Sequence, residues 1–193
     1  MTAAPEDSAG APPVDREALL VELVDEQGRA IGSCPVARAH TAPGRLHRAF
    51  SVLLFDAAGR MLLQQRAAVK TRFPLLWSNT CCGHPAPGES ITGAAAVRLG
   101  EELGIAAELT EVGVFRYQAE DPATGRVEHE WDHVLVGRFE GAPPNPDPAE
   151  IADYAWLYPA DLHTALESDP ARYTPWLLGV LSITHPPVAS LQD

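Results

Sequence analysis

The stretch Asn79–Ile105, NTCCGHPAPGESITGAAAVRLGEELGI, constrains this chain more than any other. Its first half carries two adjacent thiols and an imidazole, followed by prolines and glycines that lead into a helix. Its second half repeats apolar residues at helical spacing, with Ser90 or Thr92 near the start and Gly104 at the stop, which predicts a helix over 90–104. A stretch that carries Cys81, Cys82 and His84 therefore feeds a helix that carries Glu101 and Glu102. Arg98 lies four residues before Glu102, on the same helical face. Cysteines and a histidine this close admit three readings: a zinc site, a nucleophilic thiol with its base, or a thiol beside an unrelated metal ligand.

The flanking sequence predicts one α/β domain. LLVELVD (19–25) is β-like and is followed by the turn EQGRAIG. Residues 45–66 form two apolar runs around Asp-Ala-Ala-Gly, the clearest hairpin pattern in the chain. A second hairpin joins 115–120 to 127–139. Beyond the Pro-rich linker EGAPPNPDPAE come a strand at 153–158 and two helices, PADLHTALES and TPWLLGVLSI. The 193 residues are enough to bury one core, with 46% hydrophobic and 21% charged residues. The domain is expected over 18–185, after a disordered Ala/Pro-rich leader (1–17) and before a flexible tail (186–193). No apolar run of membrane-spanning length and no signal peptide is seen, so no membrane partner is expected. Three cysteines, two of them adjacent, fit reduced thiols in a cytoplasm. The net charge of −12 argues against a nucleic-acid groove but allows an anionic small ligand where a few cations converge.

Counting from Gly83, five residues lead to Glu89, and seven more lead to VRLGEELGI (97–105). This frame resembles the Nudix box, a loop–helix–loop whose carboxylates hold divalent cations beside a diphosphate. Leu99, Glu101, Glu102, Gly104 and Ile105 occupy the expected places, but Val97 and Arg98 stand where the box has Arg-Glu. A carboxylate has been exchanged for a cation, which counts against the ordinary hydrolytic route. Together with HTAPGRLHRAFS (40–51), QQRAAVKTRFPLLWSNTCCGHP (64–85), FRYQAEDPATGRVEHE (115–130) and YTPW (173–176), the degenerate box resembles the type I isopentenyl-diphosphate isomerases. The likeness runs from about Leu20 to Leu181.

That resemblance implies a Nudix-like mixed β-sheet sandwich flanked by helices, in a single compact domain. It also implies isomerisation of isopentenyl diphosphate to dimethylallyl diphosphate through a carbocation. One divalent metal (Mn2+, Mg2+ or Zn2+) is expected on His40, His47, His84, Glu128 and Glu130, and Glu102 would help to hold a Mg2+ carried in with the diphosphate. Glu128 and Glu130 are two apart on a strand, so both leave the same face. Cys82 and Glu130, with Tyr117 beside the latter, are the implied catalytic groups. Glu130 stands on the proton-donating side, and the order of the two steps is open. Arg66, Lys70 and Arg98 match phosphate-contacting residues of the family, and Trp176 a tryptophan that stacks on the cation, a contact worth about 2 kcal/mol in a dry site. A lysine found in some members is Val36 here, with Arg38 nearby. Only one of two adjacent thiols on an extended segment can face substrate, so Cys81 and Cys34 read as small buried hydrophobes. A monomer is expected. The alternatives are a Nudix pyrophosphohydrolase and a non-catalytic diphosphate- or metal-binding module; a zinc ribbon fails for want of paired Cys-x2-Cys clamps.

Overall fold

The computed structural model describes residues 15–184. Its nine strands and four helices run β1 (Leu20–Val24), β2 (Ala30–Pro35), α1 (Val36–Ala39), β3 (His47–Phe55), β4 (Met61–Arg66), β5 (Trp77–Ser78), β6 (Cys81–Gly83), α2 (Ile91–Leu103), β7 (Leu109–Glu120), β8 (Val127–Arg138), β9 (Ile151–Leu157), α3 (Pro159–Ser168) and α4 (Leu177–Thr184). Most of the leader expected over 1–17, and the tail expected over 186–193, lie outside the described residues. Residues 15–17 do not: Arg16 and Glu17 pair with side chains of the domain.

β3 is the axis of the fold. It runs parallel to β8 from His47↔Glu130 to Phe55↔Arg138, and β8 pairs antiparallel with β7 on its other edge. All of β3 except Arg48 is buried, as expected of a strand covered on both faces. Its side chains alternate between two cores. Phe50, Val52 and Leu54 pack with Ala95, Leu99 and Leu103 of α2, whereas Leu53 and Phe55 pack with Leu162 of α3 and with Leu177, Val180 and Leu181 of α4.

The 45–66 hairpin exists but opens at once. β3 and β4 share only the Phe55↔Met61 pair. A strand has two hydrogen-bonding edges, and beyond that pair those of β3 are taken by β8 on one side and, on the other, by β1 at His47 and by the short β6 at Phe50–Val52. β4 turns away and pairs with β9 and β5. Part of the expected EQGRAIG turn is also strand, since β2 begins at Ala30 and pairs back onto β1.

The box helix starts and stops where its sequence predicts. Ser90 caps it, its hydroxyl accepting from the Gly93 N–H at 3.3 Å, and Gly104 ends it in the left-handed region at φ 66°. At Gly83, the last residue of β6, an added Cβ would lie 2.7 Å from the Phe50 ring. Glycine there lets β6 lie close under the helix.

Candidate active site and metal centre

The alternation that builds the core also builds the site. Val134 and Val136 of β8 face the α3/α4 core with Leu53 and Phe55, so Glu128, Glu130 and Asp132 share that face with His47 and Ser51. β6 divides the cysteine pair across the sheet. Cys81 is fully buried with Leu54, Leu62 and Leu99, while Cys82 packs on the opposite side with the core that contains Trp176.

His40 from the end of α1, His47 from β3, His84 from the loop after β6, and Glu128 and Glu130 from β8 form one cluster. Their ligand atoms all lie within 4.8 Å of one another. The outward nitrogens of two imidazoles are fixed by backbone. The Nδ1–H of His40 donates to the Val36 carbonyl at 2.8 Å, and that of His47 to the Arg45 carbonyl at 2.7 Å, which leaves each Nε2 with its lone pair turned inward. His40 Nε2, His47 Nε2 and Glu128 Oε2 are buried and make no hydrogen bond. His40 Nε2 and Glu128 Oε2 are 2.7 Å apart without hydrogen-bond alignment, as two groups are when both aim at a common point. Orphaned polar atoms are costly in a core, and three in one cluster of nitrogen and carboxylate donors fit a divalent cation.

Glu130 links this cluster to the cavity beside it. One carboxylate oxygen lies 2.9 Å from His84 Nε2, and the other accepts from the Tyr117 hydroxyl at 2.6 Å. Burial would raise the Glu130 carboxyl, but the neighbouring imidazoles of His47, 3.6 Å away, and of His84 outweigh it and hold the group well below the usual carboxylate range. The Cys82 thiol moves the other way, pushed up to about 12 by burial and by the nearby Asp132, with Arg66 acting against them. Cys82 is therefore a thiol, and it donates to Asn79 Oδ1 at 3.1 Å. Burial likewise brings the His84 imidazole down to about 4, keeping it neutral as a ligand must be.

Cys82, Tyr117, Glu130 and Trp176 line one cavity of about 860 Å³, together with Arg66, Lys70, Arg98 and Glu128. Trp176 lies 5.9 Å from the Tyr117 ring and 5.6 Å from the Arg66 guanidinium carbon, and its indole N–H donates to Asn79 Oδ1 at 3.1 Å. Arg66 also donates to the backbone carbonyls of Arg72 and Phe73. Lys70 hydrogen-bonds Glu150, and burial drives its ammonium down to about 8. Arg98 pairs with Glu101 at 2.7 Å and with the buried Glu102, whose other oxygen accepts from Gln64 at 3.1 Å. Glu102 is thus occupied by neighbours and stands apart from the five-residue cluster. Val36 borders the cavity; among the described residues that line it, Arg16 is present and Arg38 is not.

Several contributors had gone unremarked. Asn79 accepts from both Cys82 and Trp176 while its amide donates to the Cys81 and Val52 carbonyls, so it sets the thiol and the indole relative to each other. Arg72 donates to Glu128 at 3.1 Å and to Glu17 at 2.7 Å. Ser51 bridges Cys82 at 3.7 Å and Asp132 at 2.8 Å. Asn79 and Arg72 lie inside the quoted motifs, where position alone was a signal. Glu150 lies in the Pro-rich linker, where nothing marked it.

Residues 45–177 match the NUDIX domain family. An isopentenyl-diphosphate Delta-isomerase of Nocardia farcinica is 72% identical over 163 residues, covering 84% of this chain and 93% of its own. The isopentenyl-diphosphate Delta-isomerase of Streptomyces coelicolor is 48% identical, over 98% of this chain and 93% of its own. Among solved structures, DR0079 from Deinococcus radiodurans superposes with a TM-score of 0.68 at 19% identity, covering 86% of this chain and 99% of that one, a likeness of fold alone. Among the described residues no helix is long and apolar enough to cross a membrane.

Proposed function

From the premise that the chain belongs to the NUDIX-domain isopentenyl-diphosphate Delta-isomerases, we propose how its site interconverts isopentenyl diphosphate and dimethylallyl diphosphate. The observation that carries this reading is that Cys82 and Glu130 border the same cavity, one as a thiol and the other as a carboxylate, beside the indole of Trp176. The reaction adds a proton to one end of an allylic unit and removes one from the other. It needs one protonated and one unprotonated group flanking the alkene, with their roles exchanged in the reverse direction. Cys82 and Glu130 supply that pair, with the proton on Cys82 and not on the Glu130 side that the resemblance implies, and Tyr117 steadies the Glu130 carboxylate by its hydrogen bond.

Protonating an unactivated alkene demands a site that excludes water. Trp176, 3% exposed, closes one wall and offers its face to positive charge on the five-carbon unit. His40, His47, His84, Glu128 and Glu130 would hold a divalent ion (Mn2+, Mg2+ or Zn2+), which when bound neutralises the paired carboxylates and fixes Glu130. Lys70 and Arg98 would meet the diphosphate, with the charge of Arg66 behind them, and Glu102 would assist a Mg2+ that accompanies it. We read the protein as a cytoplasmic monomer that acts on a small diphosphate and does not use nucleic acid.

Incubation with isopentenyl diphosphate and Mg2+ tests the proposal. Acid-labile dimethylallyl diphosphate is the expected product, whereas phosphate release without isomer would establish the pyrophosphohydrolase instead.

A further inference from the structure

Five cationic side chains line the cavity: Arg16, Arg66, Lys70, Arg72 and Arg98. Two are engaged within the protein, Arg66 with backbone carbonyls and Trp176, and Arg72 with Glu128 and Glu17. The other three all reach Glu150, while Arg16 and Arg98 also share Glu101 and Arg98 holds Glu102. Arg16 Nε lies 3.1 Å and an Arg98 terminal nitrogen 3.2 Å from Glu150 Oε1, and Lys70 Nζ hydrogen-bonds Oε2. The three come from distant stretches of chain, ahead of β1, after β4 and in α2. Glu150 itself is 9% exposed and its backbone is anchored, its carbonyl accepting from Ala67 N–H at 3.0 Å and its N–H donating to the Asp147 carbonyl at 2.9 Å.

Three cations gathered around one anion at a cavity wall is how a phosphate group is held. A carboxylate in that place satisfies the cations, but with less charge and fewer acceptor oxygens than a diphosphate brings. We propose that Glu150 is the resident counter-anion of the diphosphate subsite, gathering Arg16, Lys70 and Arg98 when substrate is absent and yielding them to its diphosphate. Arg16 is then a further substrate-binding residue, contributed from the chain just ahead of the sheet. Glu150 is a positioning residue that also competes with the ligand, so it limits affinity and eases product release. This inference rests on the diphosphate reading of the site given above.

Calorimetric titration with inorganic pyrophosphate, with and without Mg2+, tests it independently of turnover. Glu150→Gln keeps the shape of the side chain and removes the competing charge. The pyrophosphate Kd is expected to fall at least fivefold in both buffers, and KM for isopentenyl diphosphate is expected to fall in parallel. Arg16→Gln should raise both constants at least fivefold. Glu167→Gln, on the exposed face of α3, makes the same change in net charge and should leave the Kd within twofold. An unchanged or weaker Kd in Glu150→Gln, with its thermal melting cooperative, would overturn the proposal. A gain without Mg2+ that becomes a loss with Mg2+ would make Glu150 a magnesium ligand and overturn it too. If the wild type isomerises substrate while Glu150→Gln binds no tighter, this inference alone fails. If the wild type binds pyrophosphate but forms no isomer, the assigned reaction fails instead.

Discussion

The buried glutamates of β8 and the buried glutamate of α2 stand in opposite surroundings. Glu128 and Glu130 on β8 sit among imidazoles, and the cluster contains three buried polar atoms without a hydrogen bond. Glu102 on α2, equally buried, has both oxygens satisfied, one by Arg98 and one by Gln64. The first group has for its two carboxylates only Arg72, which it shares with Glu17, whereas the second carries a cation of its own. A helix that presents several unpaired carboxylates would gather metal around itself; here Arg98 occupies that place, and the unsatisfied ligands have moved to the sheet. The difference explains how a hydrolase-like frame can serve a reaction that has no attacking water.

The largest effects should come from the sheet side. Cys82→Ala and Glu130→Gln are each expected to lower kcat by about 1,000-fold, the range of a lost acid–base group. Product formation from isopentenyl diphosphate reads this, and a loss below tenfold in either variant would remove that residue from the pair. Next comes metal. Glu128→Gln should weaken retention of the bound ion by tenfold or more, measured by elemental analysis after dialysis against a chelator, whereas Glu102→Gln should retain it and only raise the Mg2+ concentration needed for activity. Equal loss of the ion from both would erase the contrast between the two groups.

A smaller effect follows pH. With its ammonium lowered to about 8 by burial, Lys70 is charged below that pH and neutral above it. The kcat/KM for the diphosphate should therefore fall as pH rises through about 8, and Lys70→Arg should move the fall to higher pH. The smallest is Cys81→Ala. Its thiol lies in the α2 core, so stability should drop by about 1 kcal/mol in thermal denaturation while turnover stays within twofold. Loss of turnover equal to that of Cys82→Ala would show that the wrong thiol has been assigned.

The sequence told unevenly about these regions. Residues whose placement follows from local period were legible: the Glu128/Glu130 face, the division of Cys81 from Cys82, and the caps at Ser90 and Gly104 depend only on strand alternation or helix-end chemistry. The meeting of His40, His47 and His84 was legible only through motif resemblance, because nothing local brings α1, β3 and the loop after β6 together. The opening of the β3–β4 hairpin was illegible, since it depends on β6 taking the strand edge from a distance. Glu150 and Arg16 escaped for the same reason. A carboxylate in a Pro-rich linker and an arginine at the domain border read as ordinary solvated charges until the fold places them in contact.

The parallel pairing of β3 with β8 has a kinetic side. His47 and Glu130 are register partners although they lie roughly eighty residues apart in the chain, the kind of long-range contact that forms late in folding. Until that loop closes, the ligands do not face one another, so a cation can lock the finished pair of strands but cannot seed it. Insertions between the two strands lengthen the search without disturbing the cage, whereas a one-residue slip within either would turn every acid of β8 to the wrong side.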